Sequence, residues 1–376
     1  MQANQLAAPV PVPGFVDHHA HLLREAAGLG FPASAQAVRD FHYDIARQGR
    51  TPMDVLDPPA ATTAPGLANR LLTGLHKAAS SGLVEVTEMG LRSWAYLDAL
   101  RELQAAGGLP VRMRIYLASG LAEGSSLDEL AARRADCGPW ARLDGVKFYA
   151  DGWLVPRTCA MCSDFADVGN QGVLFAEPAG LASRVAPFAT EDWRIATHAI
   201  GDRAVQSVLD AYHLVWDGDL AAIAAARPRI EHASVLSPEL VARMAEYGVV
   251  ACIQPSFALS DSNDLIPALG AERTDWAYPW SALAAAGVRM LAGTDYPIEV
   301  LAPLPGLARL VAGRSDRPGF GTRNVAPDQA KLPLDTAFSL MTDARAGQTL
   351  LSADPRLAGP DGVDEIEVLG TLPVPF

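Results

Sequence analysis

The chain has 376 residues, of which 49% are hydrophobic and 19% charged, enough to build a large buried core. A formal net charge of −13 excludes nucleic acid as a partner, because phosphate would be repelled. No apolar run is long enough to cross a bilayer, so no membrane partner is expected.

The amino-terminal stretch MQANQLAAPVPVPGF lacks the basic start and long apolar stretch of an export signal, and a cytoplasmic location is the expectation. Four cysteines in a chain this long do not make a disulfide framework. Cys159 and Cys162 form a CxxC without a second Cys or Cys/His pair, and they read as reduced thiols in a loop.

Apolar, β-rich runs alternate with Ala- and Leu-rich amphipathic stretches, the pattern of βα units around a parallel sheet. The predicted strands are Gly14–His21, Leu83–Gly90, Pro110–Ala118, Asp144–Asp151, Arg194–Ile200, Arg229–Val235, Val249–Pro255 and Val288–Asp295. Helices are predicted over Leu67–Ser80, Asp202–Val215, Pro238–Glu246 and Trp280–Ala286. Ser237-Pro238 supplies an N-cap and a first-turn proline, and Asp202 reads as a second cap. Eight such units predict an α/β chain of the (β/α)8 TIM-barrel type, with function at the carboxyl ends of the strands.

Residues 1–350 are expected to form the barrel, and 351–376 a short tail with one or two strands near Glu365–Leu369. Long connections at 22–66, Val155–Gly172 and Ser256–Pro279 would lie over the active face. They and residues 152–154 bring Trp153, Phe257, Trp276 and Tyr278, which fit a partly apolar ligand or a cap on the core.

The first strand carries Asp17, His19 and His21 on one face and His18 on the other, so His18 is expected outside the lumen. Two imidazoles two residues apart at a strand end can clamp one ion. Single polar residues then recur in otherwise apolar strands: Lys147, His198, His232 and Asp295. Burying each unpaired would cost several kcal/mol, whereas one shared metal centre compensates them together. His42, His76 and His213 receive no role.

The ordered set of HxH, Lys, His, His and Asp resembles the amidohydrolase superfamily. GFVDHHAH (14–21), VKFYADGWLVPRT (146–158), THAIGDRAV (197–205), RIEHASVL (229–236) and AGTDYP (292–297) are similar to its family 3 branch, which includes N-substituted formamide deformylases. The resemblance spans about residues 14–300. It implies a divalent metal centre of one or two ions, zinc first. His19, His21 and Asp295 would hold one ion and His198 and His232 a second. Lys147 would be carbamylated and bridge them, since an ammonium of pKa about 10.4 cannot ligate a cation.

The implied reaction is hydrolysis of a C–N bond in a small-molecule substrate, an amide, N-acyl, N-formyl or cyclic amide, by metal-activated water. Asp295 would be the base, and Asp151 and Arg157 would orient substrate or an oxyanion, or else form an ion pair inside their loop. Lactone hydrolysis, deamination or a lyase step are the alternatives at such a centre, and a non-catalytic metal-binding protein is a third class. Members usually flank the barrel with a β-sandwich. Here it is expected to be vestigial, its face covered by the tail or by a second subunit in a homodimer.

Overall fold

The computed structural model describes residues 8–29, 34–58, 61, 66–190, 193–316 and 324–376. Ten strands form one sheet: β1 (Val10–Ala20), β2 (Leu83–Leu91), β3 (Arg112–Ala118), β4 (Ala141–Tyr149), β5 (Arg194–Ala199), β6 (Arg229–His232), β7 (Val250–Ile253), β8 (Arg289–Ala292), β9 (Thr342–Leu351) and β10 (Val368–Pro373). Their order is β10-β9-β1-β2-β3-β4-β5-β6-β7-β8. Strands β1 to β8 are parallel neighbours, as connections through helices require. Among the described residues no helix is long and apolar enough to cross a membrane.

The helices cover the outer face of this sheet. Leu67–Ser80 buries Leu67, Leu71, Leu75 and Ala78, a stripe at helical spacing. Asp202–Val215 has the predicted bounds, and Ser237 accepts from the Leu240 amide ahead of Pro238, as expected of its cap. The second cap differs: Gly201 occupies the N-cap, and Asp202, one residue inside, accepts from the Cys162 and Arg203 amides at 2.8 Å each.

The exits of β1 and β8 are joined. The Asp295 amide donates to the His19 carbonyl and the His21 amide to the Tyr296 carbonyl, both at 2.7 Å. The parallel sheet is thus barrel-like, with the ends of its first and eighth strands in register. Asp17 ties the same junction: it accepts from the His19 and Thr294 amides and from the Thr294 hydroxyl.

Strands six and eight are shorter than predicted. The backbone leaves the extended region at His232 (φ 75°), Ala233 (φ 46°) and Asp295 (φ 57°), conformations costly for residues with a Cβ. The predicted functional residues therefore lie where the strands end rather than inside them.

The carboxyl-terminal residues also differ from a simple tail. β9 runs antiparallel to β1 and β10 antiparallel to β9, so β9, which lies ahead of the expected tail, and β10, which begins near the expected Glu365–Leu369, both extend the sheet. The last residue, Phe376, lies with its ring over Arg112 and Arg114 at 4.6 and 5.2 Å, at the entry end of β3. Those arginines share Glu85, and Arg114 also binds Asp144, so the amino-terminal end of the sheet holds a charged network under the tail.

Candidate metal centre

His19 and His21 reach Asp295 with their Nε2 atoms, 3.4 and 3.3 Å from the same oxygen, Oδ1. The three side chains offer ligand atoms all within 4.8 Å of one another, and all three are buried. His232 and His198 continue the cluster, with ring centres 4.9 Å from His19 to His232 and 4.4 Å from His232 to His198.

The outer nitrogens of His19, His198 and His232 are occupied. His19 Nδ1 donates to Glu231 Oε2 at 2.6 Å, and Arg229 grips both oxygens of that carboxylate. His232 Nδ1 donates to Gln254 Oε1 at 2.7 Å. His198 donates through Nε2 to the Gly152 carbonyl at 3.0 Å, and its ring stacks on Tyr149 at 3.7 Å. Fixing one nitrogen as a donor leaves the other with its lone pair, the arrangement that metal-ligating histidines use.

Burial favours the neutral rings: it pushes His21 down to about 4 and His198 and His232 far below the usual value. Burial alone would raise Asp295, yet His19 and His21 beside it hold it well below the usual carboxylate range. Neutral imidazoles and an ionised carboxylate are the protonation states a divalent ion needs, and this nitrogen and oxygen donor set suits zinc. A second trio, His19, Glu231 and Cys252, also lies close enough to hold an ion. There an ion would have to displace the His19–Glu231 and Arg229–Glu231 bonds, so the trio with Asp295 fits better.

Lys147, in β4, is 1% exposed, and among the described residues no hydrogen bond or ion pair reaches its Nζ. Burial lowers its pKa to about 8, against the pull of Glu231 and Asp295. The structure thus brings His19, His21, Lys147, His198, His232 and Asp295 to one cavity wall.

It brings Asp151 only to the back of His198, with Oδ1 3.4 Å from Nε2, and neither Asp151 nor Arg157 lines the cavity. Asp151 is fully buried, and its two oxygens accept from the Ile200, Gly201 and Ala160 amides. It pins the turn after β5 to the loop after β4 and has no free edge for substrate. Arg157 binds Asp167 through Nε and Nη2 and Asp264 through Nη1, so its role is the ion pair within the loops. The His18 carbonyl accepts from Arg229 Nη2 at 2.8 Å, and burial, then Arg229 and Arg114, push the pKa of its ring down to about 3.

Sequence reasoning missed Glu231 and Gln254. Alternation along an extended strand puts Glu231 and His232 on opposite faces. The positive φ of His232 turns its ring back, so both consecutive residues serve the site.

Two cavities meet at this wall, of about 410 and 500 Å³. Both are lined by Val38, Trp153, His198, His232, Asp295 and Ile298. Helix Ala35–Arg47 and the turn Pro52–Asp54 roof the first, within the predicted long connection; residues 30–33, 59–60 and 62–65 of it lie outside the described residues. His42 lines it too, its Nδ1 paired with Thr158 Oγ1 at 2.9 Å. Of the loop aromatics, Trp153 and Phe257 reach a cavity, whereas Tyr278 is buried and hydrogen-bonds Asp261, and Trp276 lines neither.

The sequence pattern of the Amidohydrolase family matches residues 45–353, beginning after His19 and His21. YtcJ of Bacillus subtilis (strain 168), an amidohydrolase by name, is 28% identical over 254 residues, 67% of this chain and 45% of that protein. The chain therefore spans about half the length of that curated relative. Two solved structures, metal-dependent hydrolases from Pyrococcus furiosus and Pyrococcus horikoshii OT3, are each 20% identical, with TM-scores of 0.65 and 0.66. They cover 96% of this chain, which covers 85% and 84% of them. At that identity the likeness shows the fold.

Proposed function

Since this chain belongs to the amidohydrolase family, we propose that it is a metal-dependent hydrolase cleaving a C–N bond of a small amide, N-acyl compound or cyclic amide, on a closed (β/α)8 barrel. The observation that carries this reading is the meeting of His19 and His21 Nε2 at Asp295 Oδ1, with His19 Nδ1 tied outward to Glu231. His19, His21 and Asp295 would hold the first ion, and His198 and His232 a second.

A bound zinc ion supplies Lewis acidity and brings the pKa of its water toward neutrality. Asp295 takes the proton of the attacking water on its carboxylate and returns it to the leaving nitrogen. Glu231 and Gln254 hold their histidines in the ligating tautomer throughout. Burial lowers the pKa of Lys147 to about 8, so near neutral pH a fraction of it is the free amine, which would add carbon dioxide with loss of a proton. The resulting carbamate would supply an anionic oxygen ligand in place of a cation.

Protein expressed with added zinc and then dialysed should retain about one to two equivalents. It should hydrolyse at least one member of an N-acyl and cyclic-amide panel, and a chelator should abolish that turnover. Metal content below about 0.2 equivalents would remove the centre and the reading with it.

A further inference from the structure

Arg92 directly follows β2 in the wall of the first cavity and is 6% exposed. Its Nη1 donates to the carbonyls of Pro52 and Val55, each at 2.6 Å. These bonds fasten the side chain to the roof of the cavity but bring no counter-charge. Its Nε is buried without an acceptor. Among the described residues no carboxylate lies within ion-pair distance of the guanidinium, and residues 30–33 and 59–65 of the roofing connection contain no Asp or Glu.

Three of the other four buried arginines of this chain are treated differently; the fourth, Arg309, donates to Ser256 Oγ and feels the charges of Glu299 and Asp364. Arg112, Arg157 and Arg229 hold Glu85, Asp167 and Glu231. Arg24, in the same wall as Arg92, is paired with Asp57 at 2.9 Å, and the Tyr96 hydroxyl takes the other oxygen of that carboxylate at 2.7 Å. Glu88 accepts from the Leu23 amide, and burial pushes it up to about 8, so near neutral pH it too balances little of the Arg92 charge. An arginine carries five N–H donors in a fixed planar fork. With Nη1 spent on carbonyls, the Nε and Nη2 edge remains, which is the edge that grips a carboxylate with two parallel bonds. Asp57 and Glu88 offset the Arg92 charge only from beyond ion-pair distance, and a buried cation without a direct counter-charge is costly unless a ligand brings the anion.

Building on the hydrolase reading above, we propose that Arg92 receives a carboxylate of the substrate, so that the enzyme acts on small amides that carry a free carboxylate. The amide carbonyl lies at His19, His21 and Asp295 while the carboxylate reaches Arg92 across the same cavity. A volume of about 410 Å³ suits a molecule of that size.

The test uses a series of N-acetyl amino acids, each paired with its uncharged carboxamide, on metal-loaded wild type, Arg92→Met and Arg92→Lys. Wild type should favour the carboxylate member by about 10–100-fold in kcat/KM, the range of a hydrogen bond to a charged group. Arg92→Met should lose that preference through the carboxylate member alone, and Arg92→Lys should keep part of it.

Calorimetric binding of the same compounds, and of inorganic phosphate, reads the subsite without turnover. Arg92-dependent binding of the carboxylates without hydrolysis of any amide would leave the subsite standing and sink the hydrolase reading. Equal handling of carboxylate and carboxamide by wild type, or no binding of any carboxylate in the series, overturns the subsite. Phosphate binding more tightly than every carboxylate, in an Arg92-dependent way, overturns the carboxylate in favour of a phosphate-bearing substrate. Should Arg92→Met fail to fold, the wild-type preference and the Arg92→Lys series decide the matter.

Discussion

The cavity that reaches Arg24 and Arg92 and the cavity that reaches Asp261 and Glu299 share His198, His232 and Asp295, yet their outer walls carry opposite charge. The second adds Glu25 to the two acids. The shared wall is built from strand ends, whose side chains are buried and held by second partners such as Glu231, Gln254 and the Gly152 carbonyl. The outer walls come from Arg24 and Glu25 just after β1, from the connections at 34–58, 153–156 and 256–264, from Arg92 just after β2 and from the residues just after β8. The contrast teaches that chemistry and selectivity are carried by different parts of the chain. The strand ends set the reaction, and the loop charges set which end of a substrate points each way.

The largest effects should come from breaking the shared wall, because both cavities depend on it. Asp295→Asn keeps shape and some ligation but removes the base, and should lower turnover by about 10²–10⁴-fold. Its loss should be the same for carboxylate and carboxamide substrates. The double change His19→Ala with His21→Ala should remove at least one ion, read by elemental analysis. Near-native turnover in Asp295→Asn would take this residue out of the mechanism.

A smaller, uniform effect is expected at Gln254. It touches no cavity but accepts from His232 Nδ1. Gln254→Ala should weaken metal affinity by about 10–100-fold, the usual cost of removing such an orienting partner, measured by chelator competition. The ratio of carboxylate to carboxamide turnover should stay at the wild-type value. A change in that ratio would mean that wall and cavities are not separable, which would undo the comparison.

Most of the shared wall was legible in the sequence, and most of the two cavities was not. Lys147, His198, His232 and Asp295 stand out as lone polar residues in apolar runs, and alternation along the first strand places His19 and His21 on one face. Helices Leu67–Ser80 and Asp202–Val215 were readable to their ends from apolar spacing. Alternation fails where φ turns positive, at His232 and Asp295, and with it went Glu231 and the true ends of β6 and β8. Asp151 and Arg157 misled because polar loop residues beside a site look alike whether they face a ligand or tie loops together. Only the partners settle it: three backbone amides for Asp151 and two carboxylates for Arg157. Arg92 gave no signal at all, since what marks it is a missing partner. A missing partner is a property of packing.

The smallest expected effect belongs to the acidic cavity and can be read without any substrate. Asp261 lines that cavity and accepts from the Tyr278 hydroxyl. Burial pushes its pKa up from 3.8 to about 7, and the Tyr278 bond only partly opposes this. The folded chain therefore holds a proton at Asp261 that the unfolded chain gives up near pH 4. Its contribution to stability is complete below the unfolded value and is lost as pH rises through about 7. Asp261→Asn removes this titration while keeping an acceptor for Tyr278. Between pH 4 and 7 the variant's melting temperature should fall less steeply than that of wild type, and at pH 8 it should lie higher by roughly 1–3 °C. Glu88 and Asp151 are raised by burial in the same way and remain in both proteins, so the difference between the two curves isolates Asp261. Parallel curves would mean that Asp261 is already charged in the folded state near pH 5. In that case the acidic cavity would carry a full negative charge across the whole range, and the opposition between the two cavities would be stronger still.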